Sequence, residues 1–155
     1  AAGVVWTRPE RWAWEGSRPM RAATYRVPGP QGAEAGECAV FFFGSGQGGD
    51  VDSNLKRWIG QFEQPGGKSS TDLARIRKET INGIRVTTVD LSGTYLASVA
   101  SPTPPQQESK PGYRLLGAIV EAPQGNVFFK FTGPEETVAA AADEFRSMLR
   151  SLRRE

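Results

Sequence analysis

Histidine is absent from the 155 residues, and cysteine occurs once. The first absence excludes Ser-His-Asp triads, imidazole metal sites and a histidine pH switch. The second excludes an internal disulfide framework and a zinc site made of thiolates alone. No run reaches the ~18 consecutive apolar residues of a membrane-crossing helix. An excess of one charge is also missing. Lys plus Arg number 19 and Asp plus Glu 17, a net charge of +2, which argues against a dedicated nucleic-acid binder. The start, Ala1-Ala2-Gly3-Val4-Val5-Trp6, lacks the basic and long apolar regions of a signal peptide. Small residues there suit a mature chain after signal cleavage, or a trimmed one.

What is present is enough for one domain over residues 1–155, since 38% of the chain is hydrophobic and this length carries a core without staples. Cys38 lies in the apolar run Cys38-Ala39-Val40-Phe41-Phe42-Phe43 and reads as a small buried hydrophobe. No histidine exists to activate it, and Glu37 beside it opposes a thiolate.

Strands are expected over 4–6, 21–27 and 37–43; the last is a continuous apolar run suited to a central strand. Residues 50–62 have helical spacing, with Val51, Leu55, Trp58 or Ile59, and Phe62 on one side and Asp50 as N-cap. Asn82-Gly83 marks a hairpin between strands over 73–81 and 84–98, because both turn residues accept positive φ. The second of these reads as central. Residues 101–112, with Pro102, Pro104, Pro105 and Pro111, read as a polar loop. Strands over 113–121 and 126–132 follow, and then a helix over 134–153. Thr132 and Glu135 have capping-box spacing for it, and Arg150, Arg153 and Arg154 suit its negative end. The fold class expected is α+β: a mostly antiparallel sheet of six to seven strands with two main helices packed on it.

Several motifs bear on chemistry. Gly44-Ser45-Gly46-Gln47-Gly48-Gly49 matches G-x-G-x-x-G between a strand and a helix. Asp50 and Asp52 put negative charge where a pyrophosphate would sit, and the next elements form a hairpin, so a flexible turn is the better reading. Asp50-Val51-Asp52-Ser53-Asn54 has the start of a calcium loop, but Leu55 and Gln61 stand where Gly and Glu are needed. Asp50 and Asp52 remain weak cation candidates, and no metal or cofactor is assigned. Asn54, Arg57 and Gln61 form a polar stripe beside Trp58, which either orients a ligand or braces the glycine loop. Arg21, at the start of a strand, is a candidate anion partner. Lys130, between Phe129 and Phe131, is either solvent-facing or at a cleft edge. Arg75-Ile76-Arg77-Lys78 is a basic patch too short to suggest nucleic acid. Trp6, Trp12 and Trp14 either pin the chain start onto the sheet or form a carbohydrate or peptide platform.

The segment from Trp6 to Trp12, Met20-Arg21-Ala22-Ala23-Thr24-Tyr25, Asn54-Leu55-Lys56-Arg57-Trp58-Ile59-Gly60-Gln61-Phe62, Phe129-Lys130-Phe131-Thr132-Gly133-Pro134 and Phe145-Arg146-Ser147-Met148-Leu149-Arg150-Ser151-Leu152 together resemble uncharacterised bacterial exported proteins and lipoproteins. The layout also resembles the wider PsbP-like α-β-α sandwich group, which includes the photosystem II extrinsic subunit, a Ran-binding nuclear import factor and mycobacterial lipoproteins. The resemblance implies a non-catalytic binding or assembly role in the periplasm or cell envelope, with room for a lipid anchor upstream of Ala1.

Three functions follow as expectations. The first is a non-catalytic exported domain binding a protein partner or small ligand through Arg21, Asn54, Arg57, Trp58, Gln61 and Lys130. The second is a hydrolase-like enzyme on an anionic or sugar-like substrate, using a cleft beside the glycine loop, with Arg21, Arg57 and Lys130 as binders and a carboxylate such as Asp90 as base. The third is a cation-dependent structural module using Asp50 and Asp52.

Overall fold

The structure is a computed structural model that describes residues 1–98 and 107–155. The elements run β1 (Val4–Val5), β2 (Ala13–Trp14), β3 (Arg21–Val27), β4 (Gly36–Phe41), α1 (Val51–Ile59), β5 (Phe62–Glu63), α2 (Ser70–Leu73), β6 (Arg75–Ile81), β7 (Ile84–Ser98), β8 (Gln107–Ala122), β9 (Gly125–Pro134), α3 (Glu135–Arg150) and β10 (Arg153–Arg154). The main sheet has the order β2-β3-β4-β9-β8-β7-β5, with β6 also paired to β7. Every pairing in it is antiparallel. The α+β class with a PsbP-like layout is therefore what the chain adopts. A separate ribbon joins β1 to β10.

Strand alternation divides the core in two. From β9, Val127, Phe129 and Phe131 face α3 and join Trp12, Tyr25, Val40, Phe145, Met148 and Leu149. Phe128 faces the other way and joins Leu55, Trp58, Ile59, Phe62, Leu91, Leu115 and Ile119 under α1. Each such large side chain taken out of water contributes about 1.5–3 kcal/mol. The sheet is thus covered by α3 on one side and by the shorter α1 on the other. Trp6 donates to the Tyr25 hydroxyl at 3.0 Å and meets Phe129 edge-on at 5.0 Å. Trp12 is fully buried while Trp14 is 62% exposed, so the first two pin the chain start onto the α3 face.

The Asn82-Gly83 turn has φ of 49° and 78°, and it closes the β6–β7 hairpin from Ile81–Ile84 to Arg75–Asp90. β7 has neighbours on both sides, as a central strand should: β8 on one, β6 and β5 on the other. Several boundaries differ from the sequence reading: α3 ends at Arg150, so Arg153 and Arg154 form β10 rather than its last turn, and β4 ends at Phe41. Helix α1 stops at Ile59 because Gly60 caps it, and Phe62 belongs to β5. The segment before β6 carries the short α2 turn. The cap of α3 is Pro134, without a side-chain hydrogen bond; Thr132 is instead held in β9 opposite Glu37 and Leu115. Finally, Gln107 to Gly112 are strand rather than loop, paired with the far end of β7; the rest of the expected loop lies outside the described residues.

Candidate binding cleft

Helix α1 is too short to cover its whole face of the sheet. Beyond its end lies a cleft of about 660 Å³ over β3, β4, β9 and the far ends of β7 and β8. Its charged lining is mixed: Arg21, Arg26, Lys110 and Lys130 against Glu15, Glu34 and Glu37. Gln61, Tyr95, Tyr113 and Thr132 add neutral polar groups.

Lys130 is central to it. Residue alternation in β9 turns it away from Phe129 and Phe131, onto the α1 face. Its ammonium donates to Gln61 Oε1 at 2.6 Å and to the Tyr95 hydroxyl at 3.0 Å. Both acceptors are neutral. Burial, reinforced by the Arg57 and Arg21 charges, lowers the Lys130 pKa to about 8, while Glu37 works the other way. Desolvation penalises the charged form, and no carboxylate contact compensates it.

Each neighbour is fixed by the fold. The Gln61 carbonyl accepts the Leu96 amide at 2.7 Å. Tyr95 stacks on Phe62 at 5.2 Å and on Tyr113 at 6.0 Å; burial is the main cause that pushes its hydroxyl pKa up. The register slips where Gly93 faces Tyr113 and Tyr95 faces Lys110. β8 thus holds an extra residue at Pro111-Gly112, where Gly112 has φ of 70°. That bulge turns Lys110 onto the cleft side with Tyr113. Arg21 sits 3.3 Å from Glu37 and 5.1 Å from the centre of the Phe41 ring.

Of the residues singled out in the sequence, the cleft gathers Arg21, Gln61 and Lys130. Trp58 is in the core at 2% exposure and Asn54 is fully buried. Asn54 Nδ2 donates to the Gly48 and Asp50 carbonyls, both at 2.8 Å, and its Oδ1 accepts from Arg57 at 2.5 Å. These two residues brace the glycine loop. No residue of that loop lines the cleft. Asp90 lies on the opposite face, where both its oxygens accept from Arg114 at 2.9 and 2.8 Å. Asp50 caps α1, accepting the Ser53 amide at 2.8 Å. Hydrogen bonds from the Ser53 side chain and backbone hold its carboxyl below the usual range. Among the described residues no group of three His, Cys, Asp or Glu side chains is placed to hold a metal, and no helix is long and apolar enough to cross a membrane.

The sequence reading missed Tyr95, Tyr113, Lys110 and Glu37. Only Glu37 had a usable signal, as a charge opening an apolar strand. The others depend on the β8 bulge and on which strands become neighbours.

The fold, an antiparallel sheet between two helical layers, is PsbP-like. The chain is similar to the solution structure of cyanobacterial PsbP (CyanoP) from Synechocystis sp. PCC 6803, with 12% identity, a TM-score of 0.54, and coverage of 99% of this chain and 88% of that one. It is also similar to PA94, a protein of unknown function from Pseudomonas aeruginosa, with 10% identity, a TM-score of 0.57, and coverage of 98% and 97%. No protein-family model and no curated protein matches the chain.

Proposed function

We propose that the chain is a non-catalytic bacterial binding domain, exported to the periplasm or cell envelope, and that its cleft receives an anionic group of a small ligand or protein partner. The observation that carries this reading is Lys130: a half-buried ammonium at an open cleft, held by two neutral oxygens. An ammonium has three donors, and two are used, so one remains for an anion. Arg21 lies in the same cleft. The exported setting rests on the resemblance of the sequence motifs, and both structural neighbours are bacterial.

The test is calorimetric titration and thermal shift with succinate, citrate and galacturonate, repeated with Lys130→Met and Arg21→Gln. The reading expects at least one probe to bind the wild type and to weaken tenfold or more in Lys130→Met. Equal binding to wild type and Lys130→Met, or no binding of any probe, counts against the cleft. Turnover of a sugar-acid or ester substrate that survives in neither variant would replace the binding role with an enzymatic one.

A further inference from the structure

A second concavity lies on the opposite, α3 side of the sheet. It is a groove of about 360 Å³ between β6 and α3, floored by Thr88, Asp90 and Leu116. Arg75 and Arg77 line it from β6, and Arg146 and Arg150 line it from α3. The pattern is built by two periodicities. Residues two apart on a strand share a face, and residues four apart on a helix share a stripe. The two arginine pairs therefore line the groove from opposite walls.

The local positive charge is only partly compensated, four arginines lining the groove against Asp90 and Glu79. Asp90 is already held in two contacts by Arg114. Arg146 has a single contact to Asp143, at 3.3 Å, and Asp143 is fully exposed. Among the described residues no carboxylate lies within ion-pair distance of Arg75, Arg77 or Arg150. Glu79 is the other acid of the lining. For a chain of net charge +2, this concentrates positive charge in one place. Edge protection explains cations on β6, which pairs only with β7 and has an open side. The helix dipole favours a cation such as Arg150 near the end of α3. Neither explains why the two pairs converge on one groove.

We infer that this groove is a binding site for a small polyphosphate-type anion carrying at least two phosphate groups. A guanidinium binds phosphate oxygens in a two-pronged contact and stays charged at all working pH. Four of them in two pairs match a ligand with charges at both ends. The volume suits a small molecule rather than a helix or folded partner, and the Thr88 hydroxyl supplies a further donor at the floor. The site is independent of the Lys130 cleft, which lies on the other side of the sheet.

The experiment is calorimetric titration of tripolyphosphate at low salt. Wild type, Arg75→Gln/Arg150→Gln (one residue from each wall) and Lys130→Met are compared, with citrate and a Glu-rich peptide as competing anions. All the substituted arginines are exposed, and an unchanged Tm confirms that the variants fold. The expected result is binding by wild type and Lys130→Met, weakened at least tenfold in the double arginine variant. Binding should also weaken as pH falls from 7.5 to 5.5, because a terminal phosphate dianion takes up a proton at about pH 6. Absence of binding overturns the inference, as does equal affinity in the double variant. Citrate or the peptide binding to Lys130→Met as tightly as tripolyphosphate assigns the groove to carboxylates and overturns the phosphate chemistry.

Discussion

Gly117 of β8 leaves the space that Trp58 of α1 fills. A Cβ added at Gly117 would lie 2.6 Å from Trp58 Cζ3 and 2.9 Å from Val89 Cγ1. The glycine is required by close approach, not by backbone conformation, and it sets the height at which α1 rides over the sheet. Gly117→Ala is expected to destabilise the fold by about 1–3 kcal/mol through overpacking. Urea unfolding measures the loss, and the Trp58 fluorescence should shift as the ring moves. A variant as stable as wild type would mean that α1 is free to lift.

Asn54 ties the glycine loop to α1 through the Gly48 and Asp50 carbonyls. Asn54→Ala removes both donors from a fully buried site. Each such bond contributes about 0.5–1.5 kcal/mol, so losing the two should cost about 1–3 kcal/mol. By contrast, Asp50→Ala removes an exposed cap and should cost about 1 kcal/mol. Chemical denaturation of both variants checks the order. If Asn54→Ala proved the milder change, the loop would not depend on this brace.

The sequence made the layers legible because each carries its own period. The alternation of Val127, Phe129 and Phe131, the α1 stripe of Leu55, Trp58 and Ile59, and the Asn82-Gly83 turn each follow from local rules. Trp58 was ambiguous for the same reason. Its helical spacing marks an inward face, but only the missing Cβ of Gly117, 59 residues away in the chain, shows how deeply the ring enters. The cleft was less legible. Lys130 and Gln61 meet because Gln61, in the turn between α1 and β5, reaches its side chain over the sheet to β9. Lys110 joins them through a one-residue bulge, which no periodic pattern encodes.

Lys130 gives stability a defined pH slope. Its pKa is about 8 in the folded chain and about 10.4 in an unfolded one. Below pH 8 both states hold the proton, and charging the half-buried amine costs the fold up to about 3 kcal/mol. Between about pH 8 and 10.4 only the unfolded state holds it, so this group raises stability by about 1.4 kcal/mol per pH unit. Burial also pushes the Cys38 thiol pKa up, which lowers stability above the ordinary thiol pKa of about 8.5. The difference between wild type and Lys130→Met isolates the lysine. Lys130→Met should be the more stable protein at pH 7, and the gap should close towards pH 10. A gap that stays constant across this range would mean that the amine is not depressed.

The charges that depress Lys130 come from two directions, Arg57 on α1 and Arg21 on β3. Arg57→Gln removes one like charge, so the Lys130 titration should move upward. Arg21→Gln removes the other and also releases Glu37 from its 3.3 Å contact. A freed Glu37 favours the ammonium, so the two consequences of Arg21→Gln add in the same direction. Following the Lys130 amine by NMR through an alkaline titration measures both shifts. High salt should shrink the Arg57 effect more, because that side chain is exposed and screening acts most on exposed charges. A titration that moved with neither variant would leave burial as the sole cause of the depression. It would also make the cleft a place where an incoming anion meets an amine tuned by desolvation alone.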